Sequence, residues 1–352
     1  MPLSARPSVM AGPLVSTELR TPEVNRPGTD ADGTNPGGRD GEAVPPLAGP
    51  ARAGTTLEPP KAGGQPLRNR VSVTQHTFAS WDLAECLNEC RAAGVGAIGL
   101  SVPKVRAEGY ERAAELVGGS PVEVSSLNWI AGFTGQNDHR LHETMDEAPE
   151  LIRLASLLGA PTVTVITGPK GTHSNSHITN VFIDSLRELA DFADFFGVDL
   201  AVLPMTPRHR AGWTFLDSLP KAMEVVRRAD HPRVGLCLNT GFVWRQKGLP
   251  TLLREAAPVT KLVKLSDCSG SPRHANDQRL PGQGRVRTTA IAAALDAAGY
   301  RGYYELDVWS EGRWRSGDTA RVLRSFAGLA FGSCPDLADG SPQPAGGHPF
   351  GA

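Results

Sequence analysis

Two ionisable residues set the chemical question. Lys264, in Leu262-Val-Lys-Leu-Ser-Asp267, and Asp307, in Tyr303-Tyr-Glu-Leu-Asp-Val308, close two apolar runs expected to be neighbouring strands. An ammonium in a dry pocket stabilises enolate-like charge, and Asp307, or Glu305 if the register differs, can act as the base. The plainer reading is a buried ion pair of near-neutral worth to stability. A third reading, a Schiff base through Lys264, requires a depressed lysine pKa.

Other residues could assist this chemistry. The densest polar cluster is Asp267, Arg273, His274, Asn276, Asp277 and Arg279, ending in Pro281-Gly-Gln-Gly284. Arg279 offers a fork of donors for a carboxylate, phosphate or polyol, and His274 is a second acid/base candidate. A solvated loop held by its own hydrogen bonds explains the same composition. His173 and His177 have i, i+4 spacing, which suits a relocated zinc or iron site if their loop is helical, although no acid lies close in sequence. His76 ends the first strand and is either catalytic or structural. Trp129, Trp213, Trp244, Trp309 and Trp314 fall at or after strand ends; together they suggest a pocket more apolar than a sugar phosphate requires. Cys268 lacks a clear paired base for nucleophilic work.

The elements that must position these groups follow one rhythm. Apolar, β-branched runs at 71–76, 97–101, 122–127, 162–167, 199–203, 233–238, 261–266 and 303–308 read as strands. Helical periodicity is expected over 82–93, 110–117, 140–158, 178–196, 288–298 and 319–330, with two further helices leading to the strands at 233 and 261. Eight strand–helix units in about 265 residues predict a single closed (β/α)8 TIM barrel, with chemistry at the carboxyl ends of the strands. An open doubly wound sheet is weaker, because no G-x-G-x-x-G follows the first strand. Residues 1–66 and 333–352, rich in Pro and Gly, are expected to be disordered, leaving 67–332 as the barrel.

Composition narrows the partners. A net charge of -1 and scattered basic residues argue against nucleic acid, and no apolar run reaches the roughly 18 residues of a membrane span. Five cysteines, no signal-peptide pattern and a length sufficient for a hydrophobic core predict a reducing, cytoplasmic protein. A small-molecule substrate is expected; homo-oligomerisation is left open.

Four stretches, in order and spacing, resemble the sugar phosphate isomerase/epimerase superfamily with the xylose isomerase-like TIM barrel. They are Leu200-Ala-Val-Leu-Pro-Met-Thr-Pro207, Val234-Gly-Leu-Cys-Leu-Asn-Thr-Gly-Phe-Val-Trp244, Leu262–Asp267 with Asp277-Gln-Arg-Leu-Pro-Gly-Gln-Gly284, and Gly299-Tyr-Arg-Gly-Tyr-Tyr-Glu-Leu-Asp-Val-Trp-Ser-Glu311. The likeness covers about 70 to about 330. It implies one divalent cation, of Mn or Mg type, held by Glu, Asp, His and Glu from strands five to eight, with the two glutamates moving a proton beside a carbonyl. In this chain those positions carry Leu203, Asn239, Lys264 and Asp307, while the flanking histidines appear as Thr206 and Phe242. An alkyl group cannot ligate and an ammonium repels a dication, so no metal cofactor is expected. The alternatives are a divalent ion at that site or zinc at the relocated one.

The expected function is therefore isomerase- or epimerase-like proton transfer beside a carbonyl of a small polar metabolite, without a metal. Lys264 is the stabiliser, Asp307 the base and His274 a helper; Arg279, Asn239, His76, Asp267 and Trp309 surround the substrate. A lyase or cyclase on the same scaffold, or a non-catalytic binding protein, is the alternative.

Overall fold

The computed structural model describes residues 70–78, 80–136, 140–269, 278–309 and 323. Eight parallel strands close into a barrel: β1 (Val71–Thr74), β2 (Ala97–Ser101), β3 (Glu123–Ile130), β4 (Thr162–Val165), β5 (Asp199–Val202), β6 (Val234–Asn239), β7 (Thr260–Leu265) and β10 (Tyr304–Leu306). Each neighbours the next in sequence, and β10 closes the circle between β7 and β1. Two short strands, β8 (Asp267–Cys268) and β9 (Gln278–Arg279), form a separate antiparallel ladder beyond the mouth. The expected (β/α) barrel is the observed fold.

The barrel strands are buried on both faces because helices cover their outer sides, which is why they read as continuous apolar runs. The helices are α1 (Leu83–Ala93), α2 (Val102–Glu108), α3 (Tyr110–Gly118), α4 (Leu141–Leu157), α5 (Asn175–Phe196), α6 (Leu219–Ala229), α7 (Thr240–Val243), α8 (Leu249–Ala256) and α9 (Thr288–Ala297). Local chemistry sets their ends. Asp82 caps α1 in a reciprocal box with Glu85, and Gly94, at φ 73°, ends it in the left-handed region that favours glycine.

Differences from expectation are the β8–β9 ladder, the short helices α2 and α7, and shifts at element ends. α2 replaces an expected loop, since Val102-Pro-Lys reads as a break; Pro103 instead occupies the first turn, where its missing N–H costs nothing. α5 begins three residues early and takes in His177. The tails 1–66 and 333–352, and the helix expected over 319–330 apart from the helical, buried Leu323, lie outside the described residues.

Arg70 locks the closure. Its Nε donates to Gly302 O at 2.9 Å, Nη2 to Tyr300 O at 3.1 Å and Nη1 to Asp296 at 2.9 Å, while the guanidinium lies over Tyr300 and Tyr304. Arg70→Met is expected to cost about 2 kcal/mol, because Gly302 O loses its donor, while Asp296 keeps Tyr304 and Tyr300 O keeps Arg301. Urea unfolding would read this as a lower midpoint at unchanged slope.

Candidate functional site

Strand parity directs alternate side chains into the barrel, so Glu305 and Asp307 share a face, with Lys264 in register opposite Glu305. Lys264 Nζ lies 2.9 Å from Glu305 Oε2 and 3.7 Å from Asp307 Oδ2. Burial alone would discharge this ammonium, but the charges of Asp307 and Glu305 outweigh it and hold its pKa above the ordinary lysine range. The Schiff-base reading thereby loses its premise, a free amine near neutral pH.

Glu305 is fully buried, and hydroxyls support it. Its Oε1 accepts from Ser125 at 2.7 Å and from Ser126 at 2.5 Å, and Ser72 bonds Ser125 in turn. Asn128 donates to Ser126 at 2.9 Å and accepts from Thr164. Gly99 leaves the space the carboxylate fills, since a Cβ there would collide with Glu305 Oε1. Sequence reasoning overlooked Ser125 and Ser126. The available signal was a hydroxyl pair within a strand buried on both faces, where each hydroxyl requires a partner.

Asp307 sits one layer nearer the mouth and keeps some exposure, 17% of its side chain. Thr74 donates to its Oδ1 at 3.0 Å and Asn239 Nδ2 to its Oδ2 at 3.4 Å. Asn239 Oδ1 accepts from Gly241 N and from Ser266 Oγ at 2.6 Å, which fixes the amide. Asn239, expected against the substrate, thus holds Asp307.

Leu203 is buried with Ile166, Met205, Cys237 and Leu262 in an apolar cluster on the opposite wall. The burial that defines this wall pushes the Cys237 thiol up to about 12. The four positions that would hold a dication are therefore a leucine in hydrocarbon, an amide already bonded, an ammonium and a carboxylate beside that ammonium. They do not fit a metal. His173 and His177 do meet, with rings 5.6 Å apart, but His173 Nε2 bonds Thr134 O. Among the described residues no third His, Cys, Asp or Glu joins them as a metal-holding group.

Above the ion pair lies an aromatic layer. His76, on the 3-10 turn after β1, stacks on Trp129 at 4.8 Å and on Trp309 at 6.2 Å, with Trp213 edge-on to both tryptophans. Gln278 bonds the Trp309 backbone in both directions and so anchors one side of this layer. His76 is held down to about pKa 4: burial lowers it, Asp307 opposes, and Lys264 and Lys104 lower it further. The neutral form is thus preferred in the fold. The stability this represents is present above the ordinary pKa of about 6.5 and is lost as pH falls from there toward 4. His76→Gln is expected to flatten the loss of Tm between pH 7 and 4.5 by about 2–4 °C, a value discounted for the ring's partial exposure. Parallel thermal melts at the two pH values measure it.

The expected loop residues are placed unevenly. Asp267 acts as a loop staple. Its fully buried carboxylate accepts from the backbone N–H groups of Cys268, Gly282, Gly284 and Val286. Arg279 is half-buried and reaches Gln283 O at 3.3 Å. His274, with Arg273, Asn276 and Asp277, lies outside the described residues.

Residues 87–327 match the model of one protein family, described as the xylose isomerase-like TIM barrel. The chain belongs to this family. A 3-dehydroshikimate dehydratase of Pseudomonas putida is 26% identical over 191 residues, 51% of this chain and 28% of that protein, so the chain spans little more than a quarter of the relative's length. Among solved structures, the IolI protein with a bound zinc atom has 18% identity and a TM-score of 0.65, covering 73% of this chain and 95% of that one. The 3-keto-D-glucoside 4-epimerase YcjR of E. coli has 14% identity and a TM-score of 0.61, covering 73% and 98%. At these identities the likeness to both structures establishes the fold of the family and no more. No helix among the described residues is long and apolar enough to cross a membrane.

Proposed function

We propose that the chain is an isomerase- or epimerase-like enzyme that moves a proton beside a carbonyl, with an ammonium doing the work a metal does elsewhere in the family. The observation that carries this reading is Lys264 Nζ, held between Glu305 at 2.9 Å and Asp307 at 3.7 Å at the carboxyl ends of the strands. Asp307 removes a proton from the carbon next to the carbonyl, and the C–H electron pair moves into a carbon–carbon double bond as the carbonyl oxygen gains charge. Lys264 stabilises that charge. For epimerisation a proton from solvent reaches the opposite face of the same carbon while Asp307 keeps the one it took; for isomerisation Asp307 returns its proton to the former carbonyl carbon after a proton has moved between the oxygens. Glu305 positions Lys264, while Asn239 and Thr74 position Asp307.

Dehydration is the second reading, favoured by the named activity of the P. putida relative. It shares the first step and differs in the second, where the enolate electrons form a new carbon–carbon double bond as the β-hydroxyl takes the proton held by Asp307 and leaves as water.

Solvent exchange tests both. The EDTA-treated protein is incubated in D2O with ribulose 5-phosphate, 3-dehydroshikimate and simple aryl ketones, and deuterium incorporation is followed by mass. Incorporation without added metal, lost in Asp307→Asn, is the expected result. Dependence on added Mn(II), or undiminished exchange in Asp307→Asn, would sink the assignment. Binding of a compound with no exchange would favour a non-catalytic relative.

A further inference from the structure

The described mouth of the barrel divides into three levels of different chemistry. At the floor, one ammonium faces two carboxylates, a net charge of -1 that repels an anion. Above it lie aromatic faces. The ring of His76 is tilted only 22° from Trp129 and 18° from Trp309, and Trp213 stands edge-on at 5.0 Å from Trp309. The wall beside them is the hydrocarbon of Leu203, Met205 and Ile166. None of the three tryptophans is fully buried.

The rim is basic. The loops after β4, β5 and β6 carry exposed Lys170, Arg208, Arg210, Arg245 and Lys247. The acid among the described residues of those loops, Asp217, is buried and paired with Arg210 and Lys221. This positive excess on one sector of the rim draws an anion there and not to the floor.

Polyol substrates need hydrogen-bonding walls, whereas partly exposed indole rings reward a flat π-face. We infer that the site takes a planar, conjugated ring compound, its carbonyl end toward Lys264 and its anionic end toward the basic rim, in preference to a sugar phosphate. The carbonyl placement rests on the proton-transfer reading above; the ring and anion preferences rest on the aromatic layer and the rim.

The test is binding to the full-length protein, followed by tryptophan fluorescence and calorimetry. Four probes separate the features: 4-acetylbenzoate (ring, carbonyl and distal carboxylate), acetophenone (no anion), levulinate (no ring) and ribulose 5-phosphate. 4-Acetylbenzoate is expected to bind about tenfold more tightly than each of the others, with added salt weakening it toward acetophenone. Replacing its carboxylate by phosphate, as 4-acetylphenyl phosphate, shows which anion the rim prefers; tight binding of either supports the proposal. Trp309→Leu and, independently, Trp213→Leu should erase the advantage over levulinate. Levulinate or ribulose 5-phosphate binding as tightly as 4-acetylbenzoate, or both variants keeping the preference, overturns the assignment. Because the ranking reads affinity without turnover, it can fail while metal-free exchange succeeds, and the reverse.

Discussion

Replacing Lys264 by methionine is expected to lower metal-free deuterium exchange by about 10²–10³-fold and folding stability by about 3–5 kcal/mol. Both effects arise from one rearrangement of charge. Without the ammonium, a developing enolate faces two carboxylates with no cation beside them, and the fully buried Glu305 keeps only its serine donors. Glu305 is then a buried carboxylate with no cation beside it, which is the origin of the stability loss. Lys264→Met/Glu305→Gln separates the two roles. Removing the buried charge should recover most of the stability, while exchange stays low because nothing replaces the cation. Recovery of exchange in the double variant would show that Lys264 serves folding alone.

The barrel is legible in the sequence because its signal is repetitive: apolar strands alternate with helical stretches, and one misplaced boundary leaves the pattern intact. The site is legible where strand ends project inward, as at Lys264, Asp307, Asn239 and His76. It is less so where function depends on register. Glu305 rather than Asp307 is the nearer partner of Lys264 because the shear of the closed barrel sets those two residues side by side, and a linear sequence does not display shear. Loops are least legible. Asp267 has the composition of a substrate-binding acid, yet four backbone N–H groups from a returning loop converge on it. The tryptophans give an intermediate case. Their clustering is inferred from strand ends, but the near-parallel set of His76 against both Trp129 and Trp309, which also lie 6.0 Å from each other, is a product of folded geometry.

The second large effect concerns Leu203. Leu203→Glu alone is expected to destabilise the protein by about 3–5 kcal/mol at pH 7, since it removes a buried leucine worth roughly 1.5–3 kcal/mol and leaves a carboxylate against hydrocarbon. Mn(II) should not rescue it, because Lys264 still occupies the carboxylates of Glu305 and Asp307. In Leu203→Glu/Asn239→Asp/Lys264→His the ammonium is gone, and four carboxylates, the two introduced with Glu305 and Asp307, and an imidazole face one another. Mn(II) at about 100 times its Kd should then add about 2.7 kcal/mol, visible as a Tm several degrees higher than that of the metal-free variant. The order of these outcomes identifies which substitution matters most. If Mn(II) stabilised Leu203→Glu as much as the triple variant, the missing glutamate would be what keeps a metal out. If it stabilised the unaltered protein, the site would accept a metal in spite of its ammonium. Rescue confined to the variant lacking Lys264 means that the cation built into β7 excludes the dication. The leucine that ends β5 is then a consequence: with no metal to hold, that position is free to join the apolar wall.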